Sequence, residues 1–253
     1  QNVLLIDVFT AIAAVLPLFF IAIPQPQNQI EQANGTRKKT SYWQDLRAGF
    51  SYVRQWKGLL GLIILAMMLN FLLGPTSALA PLVVTKIFNG GAVELGWVES
   101  TFGIGIITGG ILLSIWGGFK RRIITSLVGI VGIGIAIVSV GLVPASMFSL
   151  LLAANFLVGF AQVFANGPLS AIFQSSVAPE MQGRVFSLLG AGAMAMMPLG
   201  LMIAGPLSDL LGIRFWFIFG GSICILMTLA ATFVPAIMNI ETNNDGNTVE
   251  ELA

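Results

Sequence analysis

A chain of 253 residues with 56% hydrophobic and only 9% charged residues cannot clothe a soluble surface, because soluble domains carry roughly 25% charged residues. Its net charge of +1 offers no electrostatic footprint for nucleic acid. With no His and a single Cys (Cys224), it can form no disulfide framework, zinc-type ligand cluster, or Ser–His or Cys–His catalytic pair. No enzymatic set, metal or cofactor is expected. The composition is that of an all-α, polytopic membrane bundle whose first partner is the lipid bilayer. Its 29 glycines suit close helix packing in lipid.

The first predicted span is Val3–Ile23, with Asp7 near its start and Pro17 inside. Pro24-Gln25-Pro26 ends it, because a proline inside a helix removes a donor and clashes with the preceding turn. Gln25–Lys57 is polar and carries Arg37, Lys38, Lys39, Arg47, Arg54 and Lys57. Its first half reads as a flexible linker and its second as a helix, with Tyr42, Leu46, Phe50 and Val53 on one side. That helix either lies on the membrane with its basic stems snorkelling or packs only on the protein. The second span is Gly58–Leu82, broken in its outer part by Gly74-Pro75 and closed by Pro81, with a loop over Val83–Glu94. Leu95–Phe119 is the third span, with Gly105 and Gly109 in GxxxG spacing, ended by Lys120-Arg121-Arg122. Ile123–Val143 is the fourth and Met147–Phe173 the fifth.

A polar hinge follows, with Pro179, Glu180, Gln182, Gly183 and Arg184. Pro179 suits the first position of a helix, and Glu180 then meets the positive end of its dipole. Val185–Leu207 is the sixth span and Phe215–Val234 the seventh. The tail from Asn239 to Ala253 is acidic and expected to be disordered. An apolar run starts at once after Gln1, without the basic n-region and cleavage site of a signal peptide. The chain reads as a piece of a longer protein.

Orientation follows from the basic residues of alternate loops, ten against two. This puts the 25–57 linker, Lys120–Arg122, the hinge and the C-terminus in the cytoplasm.

Gly74-Pro75-Thr76-Ser77-Ala78 recurs as Gly167-Pro168-Leu169-Ser170-Ala171. The two copies fall in spans of opposite direction, as expected of an inverted repeat of three helices with interrupted members. Spans two to seven then form a three-plus-three unit. That unit, with the basic linker before it, resembles the C-terminal half of a major facilitator superfamily transporter. Within that superfamily the chain is similar to the bacterial branch of macrolide-efflux proteins and enterobactin exporters. Ala178-Pro179-Glu180-Met181-Gln182-Gly183-Arg184-Val185-Phe186-Ser187 carries the likeness. So does the loop holding Gly205, Asp209, Gly212 and Arg214, which follows the family's G-x-L-x-D-x-x-G-x-R pattern on the outer side. At the cytoplasmic loop of residues 117–122 the family's Asp is missing, so its usual charge relay does not carry over.

The resemblance implies a division into four parts. Residues 1–24 are the last helix of the N-terminal bundle, 25–57 the linker, 58–238 the six-helix transport bundle and 239–253 the tail. It implies secondary transport of a small amphipathic substrate, such as a drug, macrolide or siderophore, by proton-coupled alternating access. The protein would sit in the bacterial cytoplasmic membrane and pair with a missing N-terminal half.

Polar residues inside spans are costly and therefore informative. Asn155, Gln162 and Asn166 fall within about 20° of one face at 100° per residue, with Gly159 and Phe173 beside them. This stripe reads either as a cavity-facing substrate surface or as interhelical hydrogen-bond glue. Asn70 is a weaker candidate for the same pathway. Glu99 and Asp7 are candidate proton carriers or, alternatively, interfacial carboxylates. Asp209 and Arg214 are spaced to pair or to cap helix ends. Met194, Met196 and Met197 form an adaptable apolar cluster. Two function classes remain open, an exporter and a membrane scaffold or sensor that keeps the fold without transport.

Overall fold

The computed structural model describes residues 42–241 together with Leu16. The expected first span with Asp7 and Pro17, the first part of the linker and most of the tail lie outside the described residues. The elements are α1 (Tyr42–Gln55), α2 (Lys57–Leu82), α3 (Ala92–Trp116), α4 (Arg122–Leu142), α5 (Phe148–Ser176), α6 (Pro179–Leu211), α7 (Ile213–Thr232) and the short α8 (Pro235–Met238). Helices α2 to α7 are each long and apolar enough to cross a membrane.

Two apolar cores show how the helices alternate. One gathers Leu59 and Leu62 from the start of α2, Ile123 from the start of α4, Ile172 and Phe173 from the end of α5, and Val185 from the start of α6. The other gathers Leu79, Val98, Val140, Leu151 and Trp216 from the opposite helix ends. Neighbouring spans therefore run antiparallel between two packed ends.

The principal neighbours are α3–α5, α5–α4, α4–α7, α7–α2 and α2–α6. Exchanging α2, α3 and α4 with α5, α6 and α7 leaves this set unchanged. An additional contact between α6 and α7 is the departure from the symmetry. This is the arrangement expected of two three-helix repeats.

The repeated Gly-Pro step does not interrupt either helix, contrary to expectation. Pro75 lies inside α2 and Pro168 inside α5. One lost N–H does not break a helix whose remaining bonds are in a site without water. Side chains also tie the neighbouring carbonyls: Thr76 Oγ1 donates to Leu73 O at 2.6 Å, Ser77 Oγ donates to Gly74 O at 2.7 Å, and Trp216 Nε1 donates to Leu72 O at 3.2 Å. Pro81 does not close the second span either. A π-helical turn over Val83–Ile87 prolongs α2, with Val83 and Val84 buried in the core. The chain leaves the helix near Asn89, whose φ is +51°.

Between α5 and α6 the turn is only two residues long, and Pro179 and Glu180 open α6 as expected. Gln182 Nε2 donates to Gln174 O at 2.9 Å and to Val177 O at 3.1 Å, closing carbonyls that the end of α5 leaves free. Ala178 N donates to Tyr52 Oη at 3.2 Å, and Gly49 brings α1 against the Arg184 backbone. Val53 is fully buried in this contact, whereas Phe50 is 52% exposed. The protein-facing stripe of α1 is thus Gly49, Tyr52 and Val53, continued by Trp56 at the turn into α2. It is rotated from the expected one, leaving Phe50 outward.

Candidate functional site

Helices α2 and α5, the two repeat-related members that carry the Gly-Pro step, share no extended interface. A cavity of about 450 Å³ lies between them, within the ~300–1,000 Å³ range of small-molecule sites. Helix α4 forms its back wall with Ser126, Ile130 and Ile137, while Glu99 and Phe102 reach it from α3 and Phe217 from α7. The walls are mostly aliphatic and carry no Lys or Arg.

The stripe of α5 opens into this space: Asn155, Gln162 and Asn166 all line it, and Asn70 faces them from α2. Asn155 Nδ2 donates to Leu151 O at 3.0 Å, and Asn70 Nδ2 donates to Ala66 O at 2.8 Å. Both bonds stay within their own helix. Each amide has four hydrogen-bonding positions, so both keep capacity for a ligand. Gln162 and Asn166 make no hydrogen bond among the described residues. None of the four amides bridges two helices there, so the hydrogen-bond glue considered from sequence is not formed among them.

The small wall expected beside the stripe is differently used. Gly159 is filled by the α3 backbone at Phe102 O, and Phe173 is buried in the core nearest the hinge. Glu99 lines the cavity as an exposed carboxylate one to two turns from the start of α3, rather than as a buried one. Asp7 lies outside the described residues. Gly74 lines the cavity on one side and packs under Met197 on the other. None of the three methionines lines it, and Met194 is 80% exposed rather than packed in a core.

The remaining candidates do not line the cavity. Pro75 is buried in α2 between the lining residues Gly74 and Thr76, and Gly167 and Pro168 fall between the lining residues Asn166 and Leu169 of α5 without lining the space themselves. Pro179, Glu180, Gly183 and Arg184 form the first turns of α6. Gly205 and Asp209 lie near its far end. Gly212, with φ +90°, makes the one-residue turn into α7 that a side chain would strain. Asp209 is exposed and Arg214 half-buried in the first turn of α7. Helix α7 has no side-chain cap and no ion pair joins these two among the described residues, contrary to the pairing or capping expected.

Sequence reasoning passed over two hydroxyl groups that matter here. Ser77 lines the cavity from α2. Ser126 is fully buried, and its Oγ has no hydrogen-bond partner. The signal was faint: a serine in a membrane helix commonly bonds its own backbone, and only the fold shows that this one does not.

Comparison with known proteins follows the same lines. The family model described as Major Facilitator Superfamily matches residues 62–248. Macrolide efflux protein A of Streptococcus pyogenes is 28% identical over 239 residues, 94% of this chain and 58% of that protein. Macrolide efflux protein A of Enterococcus faecalis is 31% identical over 199 residues, covering 79% and 60%. Multidrug efflux pump Tap of Mycolicibacterium fortuitum is 30% identical over 152 residues, covering 58% and 36%. The chain thus spans less than two thirds of the length of the curated relatives it matches. No solved structure gives a significant match.

Proposed function

Because this chain belongs to the Major Facilitator Superfamily, we propose that it forms the C-terminal half of an integral-membrane exporter for a small amphipathic compound. The observation that carries this reading is the cavity between α2 and α5, whose mostly aliphatic wall carries Asn70, Asn155, Gln162, Asn166 and Ser126. Such a wall takes up the apolar body of a ligand, and the unengaged amides fix its polar groups. The names of the relatives favour a macrolide or another drug over a siderophore as cargo. Alternating access needs a second bundle rocking against this one around a shared site, so the partner is an N-terminal half. Glu99 at the cavity, or Asp7 of the expected first span, supplies the carboxylate through which a proton gradient drives export. The linker and the C-terminus face the cytoplasm.

The test uses the complete transporter in proteoliposomes with an imposed proton gradient. Asn155→Leu, Gln162→Leu and Asn166→Leu each lower macrolide export several-fold while protein content and insertion stay at the wild-type level. Reduced insertion with unchanged export per inserted molecule would overturn the cavity assignment. Export that persists without a proton gradient would overturn the coupling.

A further inference from the structure

Helix α4 has a second apolar recess on the face turned away from the cavity. At 100° per residue, Ser126, Ile130, Ile133 and Ile137 share the cavity face. Ile124, Val128 and Val131 lie about 150° from it. These three, with Leu229 and Met238, wall a crevice of about 400 Å³ between α4 and α7. Its two polar residues contribute no free hydrogen-bond donor: Thr228 Oγ1 donates to Cys224 O at 2.7 Å, and Thr232 Oγ1 donates to Leu229 O at 2.6 Å. Leu127 closes the floor, while Val128 (51% exposed) and Leu229 (47%) stand at the rim.

At the start of α4, beyond the Ile124 end of this crevice, the chain carries Lys120 and Arg121, both exposed; Arg122, four residues before Ser126, begins the cavity face instead. No acidic residue lies in the first turn of α4, and Arg121 as N-cap makes no side-chain capping bond. None of the three cations has an anionic partner among the described residues.

An aliphatic slot with no free donor, ending within four residues of two unpaired cations, matches one chemistry. We propose that the crevice between α4 and α7 binds an anionic phospholipid, with an acyl chain against Val128, Val131 and Leu229 and its phosphate at Lys120 and Arg121. Clusters of basic side chains beside a membrane helix attract anionic headgroups. The apolar crevice selects a lipid over a free anion. This site is independent of the transport reading, because α4 separates it from the cavity.

Native mass spectrometry of the purified chain, released from micelles doped with equal phosphatidylglycerol and phosphatidylcholine, tests the assignment. The wild-type chain retains phosphatidylglycerol preferentially. Lys120→Gln and Arg121→Gln each weaken that preference roughly fivefold, whereas Arg122→Gln, on the cavity face, weakens it less. Val128→Trp fills the crevice from its exposed rim, where folding is not at stake, and weakens retention with all three cations in place. Inorganic phosphate at millimolar concentration does not displace the lipid. The proposal is overturned by equal retention of the two lipids, by unchanged retention in Val128→Trp, or by displacement with inorganic phosphate.

Discussion

Two glycines of α3, two residues apart, predict opposite outcomes for the same substitution. A Cβ on Gly105 would overlap Phe156 O, lie 2.9 Å from Phe160 N and 3.1 Å from the Phe156 carbonyl carbon. All three atoms are backbone of α5, so no side chain can turn aside and the helices must separate. A Cβ on Gly103 meets nothing within 4 Å. Overpacking a close contact costs ~1–3 kcal/mol. Against this stands the helix propensity of Ala over Gly, at most ~1 kcal/mol, and less where the unfolded reference in detergent is already helical. Gly105→Ala is therefore destabilising by about 1–3 kcal/mol, and Gly103→Ala is neutral or slightly stabilising. At roughly 2–4 °C per kcal/mol for a chain of this size, the Gly105 variant melts about 2–12 °C below wild type and the Gly103 variant within about 2 °C of it. Thermal loss of the monodisperse peak in detergent chromatography reads both. Equal melting points for the two variants would refute the close approach of α3 and α5, and with it the position of Glu99 and Phe102 at the cavity.

Ser126→Ala removes an oxygen that has no partner in the fold, so it leaves the melting point within about 2 °C of wild type. If the cavity is the transport site, the same change weakens substrate affinity about three- to tenfold, the worth of one hydrogen bond, as measured by the concentration dependence of export. Tyr52→Phe deprives Ala178 N of its acceptor and costs about 1–2 kcal/mol. It lowers the melting point and speeds proteolysis after Arg54, whereas Phe50→Ala, on the exposed side of α1, does neither. Single cysteines at Asn34 and Asn89 in a Cys224→Ser background label from opposite sides of intact cells, Asn34 from the cytoplasm. Labelling of Asn34 from outside would reverse the orientation read from the basic loops.

Spans α2 to α7 were legible because lipid demands about 20 apolar residues per crossing, and turns in this chain are marked by Gly, Pro or clustered charge. The face shared by Asn155, Gln162 and Asn166 was legible because helical spacing alone fixes it. Helix ends were less so. Pro81 resembles a stop signal, yet burial of Val83 and Val84 carries the helix a further turn. The same holds for Pro75 and Pro168, where a local rule for helix breaking yields to tertiary hydrogen bonds and close packing. The surroundings of the stripe depended on partners that no local pattern reveals. Gly159 looks like free space in a helical projection, but the Phe102 carbonyl of α3 fills it. Ser126 is indistinguishable in sequence from Thr125, one residue earlier. Thr125 accepts a hydrogen bond from Phe119 N at 2.9 Å and ties down the α3–α4 turn, while Ser126 is left with none.

The position of the cavity follows from where the small residues are. In lipid no hydrophobic force draws apolar helices together, so close backbone approach at small side chains decides which faces meet. Helix α5 meets α3 through Gly105, Gly109 and Gly159, and meets α4 through Gly129 against Ala165. Helix α2 meets α6 through Gly200, whose Cα faces the Phe71 carbonyl. Phe71 O is also the acceptor that Pro75 leaves without its intrahelical donor, so the tightest point of that interface coincides with the weakest point of the helix. Once these contacts are made, α2 and α5 are each held on their outer sides and cannot close on one another. The faces left over are those with Asn70, Ser77, Asn155, Gln162 and Asn166, which carry polar atoms too costly to leave in hydrocarbon. Glycine on one set of faces and amides on the other thus give the same result, a polar-lined space between the two repeat-related helices. A substitution that enlarges a glycine at the outer contacts is therefore transmitted to the cavity by displacing the helix that lines it.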